Sequence, residues 1–418
     1  MSMKALQSVK IACLLCAAIL PAAVNAQFTF TTNTDGSLNI YEYTGPYDIV
    51  SLVIPAMTNG LPVTTIGEPQ APPEEGIFGG LPSLQNVTFS TNLVSIGQNI
   101  FAGCNALTNF TLPDSITNIG QGTFEYCRSL TEVTLPKNLT TLGGFVFEYC
   151  TSLVHITLDT NLTIIEEQEF EYDSSLASIC IPDSVTNIDE SNGGVFQGCY
   201  GLTNVVLGNG LTSIGSGLFA ACANLTSITI GNSVTNIGDS AFAKCSDLTT
   251  LAIPNSVTSI GLQTFYNDTS LTNIIIPDSV TNIGDEAFYD CTSLNGVYFQ
   301  GNDPDPDNYS DAFQSDNRVT AYYLPGTTNW GSTFDDAPTV LWNPQAQTSG
   351  GSFGVQNNQF GFDITGTTNI PIVVEASTNL SNGVWTPLQS CLVTNGSIYF
   401  SDPQWTNYPG RYYRISSP

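Results

Sequence analysis

The sequence predicts a mainly β protein: a solenoid of stacked coils with one parallel β-sheet face, followed by a small antiparallel β module. Three observations carry this expectation. A motif recurs in phase through most of the 418 residues. The polar residues are mostly Thr, Ser, Asn and Gly, with only 11% charged residues, which favours strands and turns over helices. The repeat then stops near residue 343, where alternating strand patterns of another kind begin.

Phenylalanine marks the phase. It stands at Phe78, Phe101, Phe124, Phe147, Phe170, Phe196, Phe219, Phe242, Phe265 and Phe288, in steps of 23 residues with a single step of 26 after Phe170. Three residues later comes Cys in seven copies (Cys104, Cys127, Cys150, Cys199, Cys222, Cys245 and Cys291) and Asp in two, Asp173 and Asp268. A further three residues on comes Leu, from Leu107 to Leu294. The unit reads L-x-x-I-x-I-P-x-S-V-T-x-I-G-x-x-x-F-x-x-C-x-x. The stretch L-x-x-I-x-I is a short period-2 strand with its apolar residues inward. Pro or Gly ends it, and Val-Thr-x-Ile makes a second extended piece. The following Gly is expected to supply a positive φ at a corner. The Phe segment is expected to form a short 3₁₀ or irregular helical turn that plugs the far side of the core. One unit cannot bury its apolar face alone, whereas stacked units can.

The phrases "SLTEVTLPKNLTTLG", "NLTSITIGNSVTNIGDSAFAKC" and "SLTNIIIPDSVTNIGDEAFYDC" resemble the BspA-like branch of bacterial leucine-rich repeat proteins over residues 50–300. The resemblance implies a leucine-rich repeat solenoid, secreted or surface-exposed, that serves as a recognition scaffold; some members bind host extracellular-matrix proteins. It carries no ligand over to this chain.

The expected organisation follows from these limits. Residues 1–26 read as a signal peptide: Lys4 and Lys10, an apolar run from Ile11 to Leu20, then Val24 and Ala26 at the −3 and −1 cleavage positions. Residues 27–65 form an N-terminal β cap and first strand, with Asp35-Gly36 as a hairpin turn. The array occupies 66–300, a degenerate last repeat and cap 301–343, and a linker with the C-terminal β module 344–418. Within the last part, Gln345 to Gly351 reads as linker, and strands are expected at Phe360–Ile364, Ile370–Ala376, Ser397–Phe400 and Arg411–Ile415. Two insertions, Glu68 to Gly76 and Asp189–Gly194, become loops on a flank of the solenoid.

Charge excludes several function classes. After the leader, six basic residues face 36 acidic ones, so neither a nucleic-acid surface nor a polybasic membrane surface is available. No stretch after the leader approaches the ~20 apolar residues of a membrane span. The single histidine, His155, permits no His pair and is expected to face outward from a strand. The cysteines are expected to form a ladder of buried, reduced thiols, since parallel side-chain vectors do not suit bridging. Asp303, Asp305, Asp307 and Asp311 echo a calcium loop. Asn308 and Gln314 occupy the slots of its Gly and bidentate Glu, so a solvated acidic loop is expected instead. The acids Glu166, Glu167, Glu169 and Glu171 bring a glycosidase into consideration. They are expected mostly to face solvent, with nothing fixing a catalytic pair. No cofactor or metal is expected.

The expected activity is therefore recognition of a protein or glycan partner by a secreted or cell-surface monomer, with a role in adhesion; a polysaccharide-active solenoid enzyme is the alternative, and a Thr array meeting an ordered lattice such as ice a third. The docking surface is sought in the residues between the two apolar positions of each strand, which point away from the core. In order these are Thr88, Thr111, Thr134, Thr157, Cys180, Val206, Thr229, Ala252, Ile275 and Tyr298. The first four are Thr and the later ones mostly apolar. The predicted partner site is thus Val206, Ala252, Asn273, Ile275 and Tyr298, centred on the last two, with Gly296 alongside. Cover by the C-terminal module is the competing reading of the same patch.

Overall fold

The computed structural model describes residues 28–67, 76–189, 194–305, 311–316, 318–381 and 383–417. The leader, the bulk of both insertions and Asp307 lie outside the described residues.

Most coils contribute two short strands, aligned in parallel from coil to coil; at Ala252 the first is reduced to a single bridge to Ile275. The L-x-x-I-x-I strands run from Ser51–Val53 through Asn109–Thr111, His155–Thr157 and Asn204–Leu207 to Asn273–Ile276 and Gly296–Phe299. Their pairing keeps one register, as in Val87 opposite Phe110 and Ile274 opposite Val297. The Val-Thr-x-Ile strands form a second parallel ladder, with Ser259–Ile260 beside Asn282–Ile283. Between the two ladders lies one continuous apolar core.

The phenylalanines form its spine. From Phe78 to Phe313 each ring stacks on the next at centroid distances of 5.1 to 6.0 Å. Interplanar angles stay between 4° and 22°. Phe313 joins this stack and Thr320–Tyr323 pairs with Gly296–Phe299, so the degenerate last coil is a true coil. Threonine supplies rungs on the surface: Thr108, Thr131 and Thr226 each donate Oγ1 to the backbone carbonyl of the residue 23 positions earlier, as Thr235 and Thr258 do on the second ladder. Part of the Thr-rich composition thus serves coil-to-coil hydrogen bonds.

Two local expectations are corrected. The Phe segment is not a 3₁₀ turn. Residues two before and two after Phe adopt positive φ, as in Gln263 (53°) and Asn267 (61°) around Phe265, or Glu286 (54°) and Asp290 (59°) around Phe288. Two left-handed residues fold the chain sharply round each ring. The glycine of Val-Thr-x-Ile-Gly has the expected positive φ at Gly67 (75°) but not at Gly120 or Gly284. It is needed for closeness: a Cβ at either position would lie 2.6 Å from a backbone carbon of the preceding coil.

Both ends are closed by aromatic residues. The hairpin of Phe28–Thr32 and Leu38–Tyr43 extends the second ladder, and Phe28 and Tyr43 set their rings against Phe78 at 6.2 and 5.4 Å. At the far end Phe334 covers Phe299 and Phe313. Beyond it, two antiparallel sheets enclose a separate core of Phe362, Ile364, Ile370, Ile372, Val374, Val393 and Phe400. Thr386–Val393, an edge strand with Pro387, lacks the alternation that marks its neighbours and was not anticipated. Gln345–Ala346, expected in a linker, instead pairs with Ile364 and Thr365. Arg411 and Asp402 form a buried ion pair at 2.7 Å, and the Tyr413 hydroxyl donates to the same carboxylate oxygen. Among the described residues no helix is long and apolar enough to cross a membrane.

Removing a ring from the middle of the spine leaves a cavity with a stacked ring on each side. Phe219→Ala is expected to cost about 3–5 kcal/mol, measured by denaturant unfolding. Ile275→Ala, on the outside, should cost under about 1 kcal/mol.

Candidate functional site

The outward strand column forms a surface of constant geometry, because one register places its residues one above another. Thr88, Thr111, Thr134, Thr157, Cys180 and Thr229 are exposed, as is Ala252, while Val206 and Asn273 are half-buried. Ile275 is 37% exposed. His155 faces outward, as expected, beside Glu132.

Tyr298 does not belong to this surface. Its residue exposure is 5% and Gly296 is buried with it. The Tyr298 ring stacks on Tyr322 at 4.8 Å and meets Trp342 edge-on at 6.4 Å. Trp342 donates its Nε1–H to the Pro371 carbonyl at 2.9 Å, and Tyr322, Val340 and Trp342 pack against the core of the C-terminal module. The module therefore takes over the sheet face at the last coils. An aromatic residue in an outward column looks the same in sequence whether it meets a partner or a later part of its own chain. The predicted patch is reduced to Val206, Ala252, Asn273 and Ile275.

Inside the array, the seven repeat cysteines are buried free thiols. Each donates its S–H to the carbonyl of the Phe in the preceding coil, at 3.0 to 3.4 Å. Cys104 reaches Phe78 and Cys245 reaches Phe219 in the same way. Burial pushes these thiols well above their ordinary pKa, so they carry no thiolate reactivity. Asp173, Asp268 and also Asp316 occupy this slot, three residues after Phe. Burial holds the first two well above the carboxylate range and raises Asp316 to about 7, with Asp290 adding repulsion. Both carboxylate oxygens of Asp173 and Asp316, and Oδ2 of Asp268, have no hydrogen-bond partner among the described residues, so the Asp coils lack the bond that the S–H makes to the preceding coil. Asp268 Oδ1 accepts the Cys245 amide at 2.8 Å.

The Glu cluster is likewise turned inward, against expectation. Glu169 is wholly buried and accepts the Val146 amide at 3.2 Å, and burial raises its pKa well above normal. Glu171 is buried and is held by Gln168 and Gln197. Glu166 alone of the four is exposed, and it accepts the Gly144 amide. The carboxylates of Glu166, Glu169 and Glu171 are committed to backbone and amide groups. Asp303 is also buried, with Oδ1 accepting the Asp305 amide at 2.9 Å. Among the described residues no cluster of three or more His, Cys, Asp or Glu could hold a metal ion.

One feature of the flank was missed. Tyr126, Tyr149 and Tyr172 stack at 4.9 and 5.0 Å, and Tyr266 stacks on Tyr289 at 5.2 Å. The first three have φ near +57 to +60°, costly for a bulky residue by roughly 1 kcal/mol each. The recurring Glu-Tyr pairs just after Phe124, Phe147 and Phe170 were the available signal.

A family model described as a BspA type leucine rich repeat region matches residues 74–192 and 190–317. Among solved structures, a leucine rich cell surface protein from Faecalibacterium prausnitzii is 26% identical, with 66% of this chain and 93% of that one covered at a TM-score of 0.34. A leucine-rich repeat protein from Bacteroides ovatus is 24% identical over 68% and 94%, at 0.34. That of T. pallidum is 27% identical over 53% and 87%, at 0.37. No curated protein matches the chain.

Two predictions follow from the slot chemistry. Alkylation of the native chain should leave the seven ladder cysteines unmodified, and alkylation after unfolding without reductant should label them all by mass spectrometry. The buried acids set the pH response. Their folded pKa values lie above the unfolded ~4, so the folded chain keeps protons that the unfolded chain sheds. The contribution of these acids to stability is therefore greatest below about pH 4 and declines as pH rises through 7, where Glu148, raised to about 7 by burial and by Glu125 and Glu171, and Asp316 also ionise. Melting temperature should be higher at pH 5 than at pH 8. Asp173→Cys should flatten the decline by up to about 1.4 kcal/mol per pH unit, the value of one proton.

Proposed function

The chain belongs to the BspA-type leucine-rich repeat family, and on that premise we propose that it is a secreted or cell-surface recognition scaffold, non-enzymatic and monomeric, that binds protein or glycan partners in an adhesive role. The observation that carries this reading is the outward strand column: side chains held in constant register over the length of the array, polar in the first coils and apolar around Ile275. The signal-peptide pattern of residues 1–26 supports export, as does the family resemblance. The acids a polysaccharide-cleaving enzyme would need are spent on the interior, Glu169 above all.

A protein partner is assigned to the patch of Val206, Ala252, Asn273 and Ile275. Ile275 is its anchor, because an exposed branched apolar side chain on a rigid strand loses little entropy on docking. The mature chain, residues 27–418, arrayed against extracellular-matrix proteins and polysaccharides, is expected to capture a partner. Ile275→Asp should weaken a captured protein partner at least tenfold with an unchanged melting temperature. Equal affinity in a folded variant removes the patch from the binding surface. Turnover of any polysaccharide would replace the scaffold reading with an enzymatic one.

A further inference from the structure

The two tyrosine ladders on the flank stop short of each other, and the interval between them is a trough. The first ladder ends at Tyr172 and the second begins at Tyr266. Between them lie the three coils of Phe196, Phe219 and Phe242, stacked 5.3 to 5.7 Å apart. The first ladder uses the second residue after Phe and the second ladder the first; in the three coils between, these two positions hold Gln197 and Gly198, Ala220 and Ala221, and Ala243 and Lys244. The small residues leave a depression of about 400 Å³ lined by Tyr172, Gln197, Tyr200, Lys244, Gln263 and Tyr266. Among the described residues no further ring stacks on the trough side of Tyr172 or Tyr266. Gly198 packs its backbone against the Tyr172 ring, and a Cβ there would lie 2.5 Å from Cδ1.

The polar groups are fixed in the same way at both ends. At the first, Gln197 donates Nε2 to Glu171 Oε1 at 3.1 Å, and Glu171 is itself held by Gln168. At the second, Gln263 donates Nε2 to Glu286 Oε2 at 2.6 Å. Each carboxylate fixes the orientation of an amide, so that each end presents a tyrosine beside an oriented Gln. No described carboxylate pairs with Lys244, which stands exposed at positive φ between the two ends.

We propose that this trough is a binding site for a neutral glycan, with sugar rings stacked on Tyr172 and Tyr266 and sugar hydroxyls hydrogen-bonded by Gln197, Gln263 and Lys244. Flat apolar ring faces combined with rigid amides suit a ligand whose faces are C–H and whose edges are hydroxyl. The volume suits a short oligosaccharide rather than a folded partner. Acidic polymers are disfavoured by the formal net charge of −28 and by Glu171 and Glu286, which hold the two glutamines. The inference rests on the recognition-scaffold reading and gives it a second surface, apart from the sheet face.

The test is titration of the mature chain with neutral hexasaccharides of glucose, mannose, xylose and galactose, alongside polygalacturonate. One neutral series is expected to bind. Tyr172→Ala and Tyr266→Ala should each weaken it at least tenfold with the melting temperature unchanged. Ala220→Trp, which fills the floor and keeps both tyrosines, should do the same, so that the result does not depend on one variant folding. Binding that survives in folded variants overturns the site, as does tighter binding of polygalacturonate that is lost in Lys244→Ala. If no glycan binds while a protein partner is still captured through the sheet face, the trough is refuted and the scaffold stands. If nothing binds, both fail.

Discussion

Everything in the array depends on keeping one coil in phase with the next. A phenylalanine ring stacked at 5.1 to 6.0 Å on its neighbours leaves no freedom in the position of the following coil. Once that phase is set, three other sets of contacts fall into place at no further conformational cost. The strands share one register, the threonine hydroxyls reach carbonyls 23 residues back, and the thiols reach the preceding Phe carbonyl. None of these bonds is strong alone, at about 1 kcal/mol net each. Their repetition converts a weak local contact into a rigid rod.

The same phase dictates which substitutions the interior accepts. The slot after Phe is small, buried and faces a carbonyl, so it asks for a compact donor. Cysteine meets that demand without charge. Aspartate fits the slot by size, and burial at Asp173 and Asp268 pushes each carboxyl well above its ordinary range. The stability of a chain with 36 acids is thereby tied to acidity through the interior as well as through surface repulsion.

Much of this was legible in the sequence, because stacking makes periodicity and burial the same signal. The Phe and Leu columns, both strands of the coil and the reduced cysteines could be read from spacing. The errors have physical causes. The glycine after Val-Thr-x-Ile was assigned to a turn, since positive φ and close approach select the same residue; only the 2.6 Å clearance at Gly120 separates them. Tyr126 and Asn267 escaped notice as left-handed residues because neither is glycine. Burial of Glu169 could not be seen because its partner, the Val146 amide, lies one coil away. Tyr298 was misplaced because its covering group, Trp342, belongs to another part of the chain.

Recognition must then reside where the coils are allowed to differ. The Phe, Leu and thiol-slot columns are nearly uniform from coil to coil, since each copy must fit the one beneath it. Three columns vary freely: the outward strand position and the two residues that follow Phe. Their variation is grouped rather than scattered. Threonine runs through the first four outward positions considered and gives way to an apolar group at Ile275. Tyrosine fills the second residue after Phe through three coils, and after three coils without it returns at the first, in Tyr266 and Tyr289. The second residue after Phe takes positive φ whatever fills it, glycine at Gly103 and Gly198 as well as Ala221, Lys244, Asn267 and Asp290, so the turn itself does not select tyrosine. The run of tyrosines is a choice that the fold leaves open, and the flank site proposed above rests on that freedom.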